Sequence, residues 1–218
     1  MAISIDNIDL KEACLRAARE FIAEKGVEAL SMRDVSRKLN VSHQAPYRHY
    51  PSRDHLLAEI IGRCFEDFAR FLDEQSKASK TDPLRAMGEA YMLYAERHPL
   101  EYRLMFGTPW PEPANHPALV KNAVHAFDVL REYLFKKHAA QPNAKNSEAK
   151  KQAELEAMFI WSALHGLATI EQSNVVKHLS LTRGVDRQTK DFVMNMINHA
   201  LQSSHSANNS DDHDNAHL

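Results

Sequence analysis

Thirteen histidines and two cysteines among 218 residues invite a metal or catalytic reading, and their spacing argues against both. No H-x-x-x-H pair stands on a helical stretch with an acid beside it, and the histidines of "DDHDNAHL" lie in a polar terminal run. No metal is expected. Ser162 and His165 align on one helical face, but no glycine-rich elbow or oxyanion donor accompanies them. The chain is therefore read as no enzyme, and no cofactor is expected. A different chemistry is better supplied, that of hydrogen-bond recognition. Between Ser31 and Arg53 stand Arg33, Arg37, Lys38, Arg48 and Arg53 against one acid, Asp34, a local surplus of four on a chain of net charge −2. Ser42, His43, Gln44, Tyr47 and His49 are interleaved with them. Such a patch is either a solvated face or a phosphate-binding one, and the elements that carry it decide which.

Those elements read as helices throughout. Leu10, Cys14, Ala17 and Phe21 recur at helical spacing in a first helix that stops at Gly26. Ser31 with Asp34 resembles a capping box and opens a second helix to about Lys38; Asn40, tolerant of left-handed backbone, makes the turn. Ser42 is expected to cap a short third helix, and Pro51-Ser52 ends it and caps a fourth with the face Leu57, Ile60, Ile61, Cys64, Phe68, Phe71. A fifth helix runs to about His98 and a sixth over Pro99–Phe106. "GTPWPEPANHPA" is an ordered loop, and a seventh helix covers Ala118 to Lys137. An eighth, Ser147 to Val176, is nearly apolar all round in its middle; a ninth carries Val193, Met196, Ile197, Ala200 and Leu201. Residues 204–218 are expected to be a disordered tail.

Two short helices joined by "LNV" suggest a helix-turn-helix, with Met32, Val35, Leu39, Val41 and Ala45 packing the pair onto Phe21 and Val27. The second would offer His43 and Gln44 to base edges from its first turn, the geometry in which a short helix enters the major groove. Pro46 fits there, because a proline near a helix start forfeits at most one hydrogen bond and fixes φ at a helical value.

The stretch "CLRAAREFIAEKGVEALSMRDVSRKLNVSHQAPYRHYPSRDHLLAEI" resembles the N-terminal domain of TetR-family transcriptional regulators. The shared features are A-x-x-x-F-x-x-x-x-G, S-x-R-D-V, V-S-x-x-x-x-Y-x-H-[FY] and the x-x-L-L start of the fourth helix. Asn40 stands where a glycine is usual, and His43-Gln44 replaces the common Lys-Gly, so a base preference does not transfer. The resemblance implies phosphate contacts for Ser31, Arg33, Tyr47, His49 and Arg53, and base contacts for Ser42, His43 and Gln44; Arg48 lies on the same element. For His49, packing beneath the fourth helix is an equal alternative, and for Tyr50 it is the expected role.

"WSALHGLATIE" resembles, through Trp161, His165 and Gly166, the Trp-x-x-x-His-Gly signature of one class of TetR-like ligand domains. Ser162, His165 and Thr169 form a polar stripe that a partner helix, water or a ligand must satisfy. Met105, Phe106, Trp110, Phe127, Met158, Trp161, Ser162 and His165 are the candidate contacts of an apolar or aromatic effector; plain core is the alternative.

The sequence thus predicts an all-α protein. Residues 1–52 form a three-helix DNA-binding domain with a helix-turn-helix, and residues 53–203 a helical ligand-binding and dimerisation domain. The expected function is a ligand-responsive repressor binding a palindromic double-stranded DNA operator as a homodimer. The dimer would rest on the eighth and ninth helices through Ala153, Ala157, Ala200 and Ile197. An activator, or a ligand-binding protein whose helix-turn-helix reads no DNA, stays open. No run of about 18 apolar residues and no signal peptide are visible, and both cysteines lie on apolar helical faces, which together point to a cytoplasmic protein with no membrane partner.

Overall fold

The computed structural model describes residues 7–142 and 144–214. Its regular elements, among the described residues, are all helical: α1 (Asn7–Lys25), α2 (Met32–Lys38), α3 (Arg53–Ala78), α4 (Pro83–Arg97), α5 (Pro99–Phe106), α6 (Pro117–Ala139), α7 (Asn146–Gln172) and α8 (Val185–Asp214), with 3₁₀ turns at Pro46–Arg48, Pro113–Asn115 and Asn174–His178. By packing they form two compact units. Among the described residues, one holds 7–69 and 98–126, the other 70–97, 127–142 and 144–214.

The helix ends follow from named residues. Gly26, at φ +86°, returns its amide to Ile22 O at 2.9 Å and ends α1. Ser31 caps α2, accepting the Asp34 amide at 3.2 Å. Asn40, at φ +53°, closes α2 in a Schellman motif: its amide meets Arg37 O and that of Val41 meets Ser36 O, both at 3.1 Å. Ser52 Oγ accepts the His55 amide at the start of α3, and Asp82 accepts the Arg85 amide ahead of Pro83 in α4.

In the first unit α1 packs on α2 and on the turn at Pro46–Arg48. Ile22, Val35, Leu56, Ile60 and Ile61 are fully buried. In the second, α7 packs on α4 and on α8. Gly88 permits a close approach there, since a Cβ would come within 2.9 Å of Met194 Sδ.

Three sequence expectations change. The short third helix is a turn over Ser42–Ala45 followed by the 3₁₀ turn, because Pro46 has no amide to return to Ser42 O; Ala45 takes that carbonyl at 3.0 Å instead. Ser42 makes no capping bond. The eighth helix ends at Gln172 rather than Val176, where Ser173 adopts extended backbone and bonds Ile170 O through its hydroxyl at 2.7 Å. α8 runs from Val185 to Asp214, a span with no proline or glycine. Residues 215–218 of the expected tail lie outside the described residues. The residues expected at a dimer face also move: Ala153, Ala157 and Ile197 are buried within the second unit.

Candidate nucleic-acid interface

The basic run divides into committed and uncommitted groups. Arg37 pairs with Asp34 at 3.2 Å, and Lys38 reaches Glu20 and Glu24 at 3.0 and 3.3 Å. Ser31 is occupied as the cap of α2, its hydroxyl also donating to Asp34. Arg53 is committed most thoroughly. Its Nε donates to Leu30 O at 3.0 Å, Nη2 to Val27 O at 2.6 Å and Nη1 to Asp54 Oδ1 at 3.2 Å. The guanidinium expected at a phosphate therefore clamps the connection between α1 and α2 onto the first turn of α3. Only its remaining N–H groups could meet DNA.

Arg33, Ser42, His43, Gln44, Tyr47 and Arg48 are exposed. No hydrogen bond or ion pair engages the side chains of Arg33, Gln44 and Arg48 among the described residues. His43 and Tyr47 meet edge to face, ring centroids 5.5 Å apart, so each steadies the other on the outer surface. Pro46 sits beneath them, fully buried. The proline is thus both a backbone constraint and a core residue holding the turn against α1 and α2, a role that sequence spacing did not reveal.

His49 and Tyr50 turn the other way. Tyr50 is buried, and burial pushes its phenol well above the ordinary tyrosine range, so it stays neutral. Its hydroxyl approaches Lys11 O at 3.5 Å. His49 is half-buried and its Nε2 is buried without a hydrogen bond. Packing takes that edge of the ring, and a phosphate could reach only the other.

The eight expected effector contacts divide between the two units, and six of them cluster, three in each; Met158 and Ser162 stand exposed outside both clusters. In the first, Met105 is buried, and the Trp110 indole donates to Met105 O at 2.9 Å. Phe65 takes Phe106 and Trp110 edge to face at 5.6 and 5.4 Å. In the second, Phe127 meets Trp161 at 5.7 Å, Trp161 meets His165 at 6.1 Å, and His165 Nδ1 lies 3.2 Å from the Tyr91 hydroxyl. Burial lowers the basicity of His165. The expected polar stripe divides, because positions 162 and 169 fall together on a helix while 165 is rotated by about 60°. Ser162 is exposed and bonds Met158 O at 2.7 Å; Met158 and Thr169 are exposed with it. Tyr91, the partner of His165, carried no signal of that contact in the sequence.

Among the described residues no three metal-ligating side chains converge, and no helix is long and apolar enough to cross a membrane.

Comparison with known proteins gives this arrangement its lineage. Residues 15–60 match the model of bacterial regulatory proteins of the tetR family, and residues 84–197 match that of the tetracyclin repressor-like C-terminal domain. The HTH-type transcriptional regulator Rv1816 of Mycobacterium tuberculosis is 30% identical over 97 residues, 43% of this chain and 42% of the relative, so that match spans under half of either protein. The HTH-type transcriptional regulator Rv0681 of the same organism is 24% identical over 193 residues, 82% of this chain and 83% of its own. A solved structure of a protein of unknown function from Rhodococcus sp. RHA1 shares the fold, with a TM-score of 0.66 at 22% identity over 85% of this chain and 94% of that one. With the two family models accounting for both the turn-bearing N-terminal helices and the helices from α4 into α8, the chain belongs to the TetR family of helix-turn-helix transcriptional regulators.

Proposed function

We propose that the chain is a repressor that binds a palindromic operator as a homodimer and is released by a small apolar or aromatic effector. One observation carries the DNA reading. Arg33, His43, Gln44, Tyr47 and Arg48 stand exposed on a short, proline-braced segment while Arg37, Lys38 and Arg53 beside them are held by the protein. Uncommitted cations and amides on a rigid surface suit a polyanion with hydrogen-bonding base edges. Gln44 can pair with an adenine edge, and Arg33 and Arg48 with phosphates. In this reading residues 1–52 read DNA, and residues 53–203 supply the effector site and the dimer face.

Support for the dimer comes from an exposed apolar face. Leu155, Met158, Phe159 and Ile170 on α7, and Phe192 and Met196 on α8, are large and solvent-facing. A second copy related by a two-fold axis would bury them as a four-helix bundle and present two reading segments about 34–36 Å apart, or a little more. Phe192→Asp, at an exposed position, should give a folded monomer in sedimentation. The effector reading rests on Phe127, Trp161, Tyr91 and His165, an apolar wall with one polar pair. A hundredfold preference of the effector for the DNA-free arrangement supplies about 2.7 kcal/mol of coupling.

Selection of bound DNA from a random library tests the proposal. An enriched palindrome is expected; no enrichment, or enrichment unaffected by Gln44→Ala, would overturn the assignment of the reading segment.

A further inference from the structure

The first unit contains a groove of about 790 Å³, walled by α1, α3 and the first turn of α6. It lies apart from the residues assigned to DNA and to the effector, and its size falls within the roughly 300–1,000 Å³ of small-molecule sites. Most charged side chains on its walls are already matched. Arg63 donates to both oxygens of Glu12 at 2.7 Å and to Glu59 at 3.1 Å. Arg19 pairs with Glu101, and Glu66 accepts from Asn122 at 3.0 Å.

The uncommitted groups are of another kind. His116 is only 8% exposed, yet its side chain makes no hydrogen bond or ion pair among the described residues. Its ring meets that of His55 edge to face, centroids 4.8 Å apart. The ring nitrogens of His116 are not among the buried polar atoms left without a partner, so they open onto the groove it lines, where water or a ligand can meet them. The His55 ring is held through Nδ1 by Ser52 Oγ at 2.9 Å, which leaves Nε2 open. Lys121, exposed on the same wall, has no ion pair among the described residues. α6 begins here at Pro117, and the amides of Ala118 and Leu119 have no acceptor among the described residues, so the positive end of a 23-residue helix is uncapped.

We propose that this groove binds a small organic anion, a carboxylate or a phosphate ester, on His55, His116 and Lys121 at the N-terminal end of α6. The acids on its walls named above are matched to protein partners, while the open groups are imidazole, ammonium and amide, which together favour an anionic acceptor. A divalent cation is the poorer match, because two imidazoles without a third converging donor fall short of a protein metal site. An anion seated there would bridge the first turns of α3 and α6.

The test is calorimetric titration of the full chain without DNA at fixed ionic strength. Glycerol phosphate, inorganic phosphate and succinate serve as anion probes, with zinc chloride as the cation arm. His116→Phe keeps the edge-to-face ring packing but removes the ring nitrogens, and Lys121→Ala alters an exposed position. At least one anion should bind the wild type and bind each variant about tenfold more weakly; the probe preferred separates phosphate from carboxylate. The imidazole resonances of His55 and His116 should move on titration of the wild type, a reading independent of how well His116→Phe folds. No binding by any of the three anions, equal affinity in both variants, or binding of zinc alone would overturn the proposal.

Discussion

Arg53 offers a sharp test, because its two possible roles predict opposite outcomes. If the residue serves as a phosphate contact, Arg53→Ala leaves stability nearly untouched and lowers the slope of log affinity against log salt by about 0.9. If it is a clamp, stability falls and the slope holds. The geometry favours the clamp. Two charge-assisted bonds run to the carbonyls of Val27 and Leu30, the acceptors belonging to the connection that sets α2 against α1. Such bonds contribute about 1.5–3 kcal/mol each when well shielded. The side chain is 36% exposed, which brings each nearer 1 kcal/mol, and the exposed pair with Asp54 adds little. The expected loss is thus about 2 kcal/mol, or roughly 4–8 °C for a chain of this size.

The two tryptophans allow the measurement, since Trp110 lies in the first unit and Trp161 in the second. In a Trp161→Phe background, Trp110 emission follows the unfolding of the unit that contains Arg53. Arg53→Lys sharpens the contrast. An ammonium keeps the charge but cannot span both carbonyls as a guanidinium does, so Lys should destabilise nearly as much as Ala. Arg33→Ala and Arg48→Ala should flatten the salt slope with little change in unfolding. An unmoved Trp110 transition in Arg53→Ala, together with a flattened slope restored by Lys, would refute the clamp.

In the second unit, His138 Nε2 and Glu156 Oε2 lie 2.8 Å apart, both buried, so Glu156→Leu should cost about 3 kcal/mol by urea unfolding while Glu156→Gln costs less. His165 gives a pH dependence: burial lowers its folded-state pKa below the ordinary value of about 6.5, so the unfolded chain binds the proton first. Its contribution is fully present above that value and is lost as pH falls toward the lowered one, and His165→Gln should remove this slope from the stability profile. Burial pushes the thiol of Cys14 up to about 11 and that of Cys64 up to about 12, so neither should react with iodoacetamide at pH 8 until the chain unfolds.

How much of this was legible in the sequence depends on the range of the interaction concerned. Local signals carried through. Gly26, Ser31, Asn40 and Ser52 end or cap the helices they were expected to, because capping is settled within four residues of chain. The periodic face of α3 was equally plain, since Leu57, Ile60, Ile61, Cys64 and Phe68 are buried as the spacing required, with Phe71 half-buried at its end. Side-chain partners distant in sequence were not legible. Nothing in "PSRDHLL" shows that Arg53 would find carbonyls 23 and 26 residues earlier rather than a phosphate. The division of Ser162 from His165 follows from 60° of helical rotation, but which side of α7 meets α4 is a tertiary fact.

Pro46 shows where local reading of the reading segment stops. A proline early in a helix predicts a stiffened first turn, a backbone effect that carries no sign of core packing. Its missing amide in fact prevents an α-helical turn from closing on Ser42, and the chain winds as a 3₁₀ turn with its ring in the core. The two consequences act together. A tighter turn projects His43, Gln44, Tyr47 and Arg48 outward over only six residues, and the buried ring fixes that turn to α1 and α2. A recognition surface needs side chains free of the protein on a backbone that is not free, and at this position one residue supplies both conditions. Replacing the ring by a smaller side chain would relax the backbone and open the core beneath it at once, so loss of DNA affinity and loss of stability should be inseparable at Pro46, whereas at Gln44 and Arg33 they should separate cleanly.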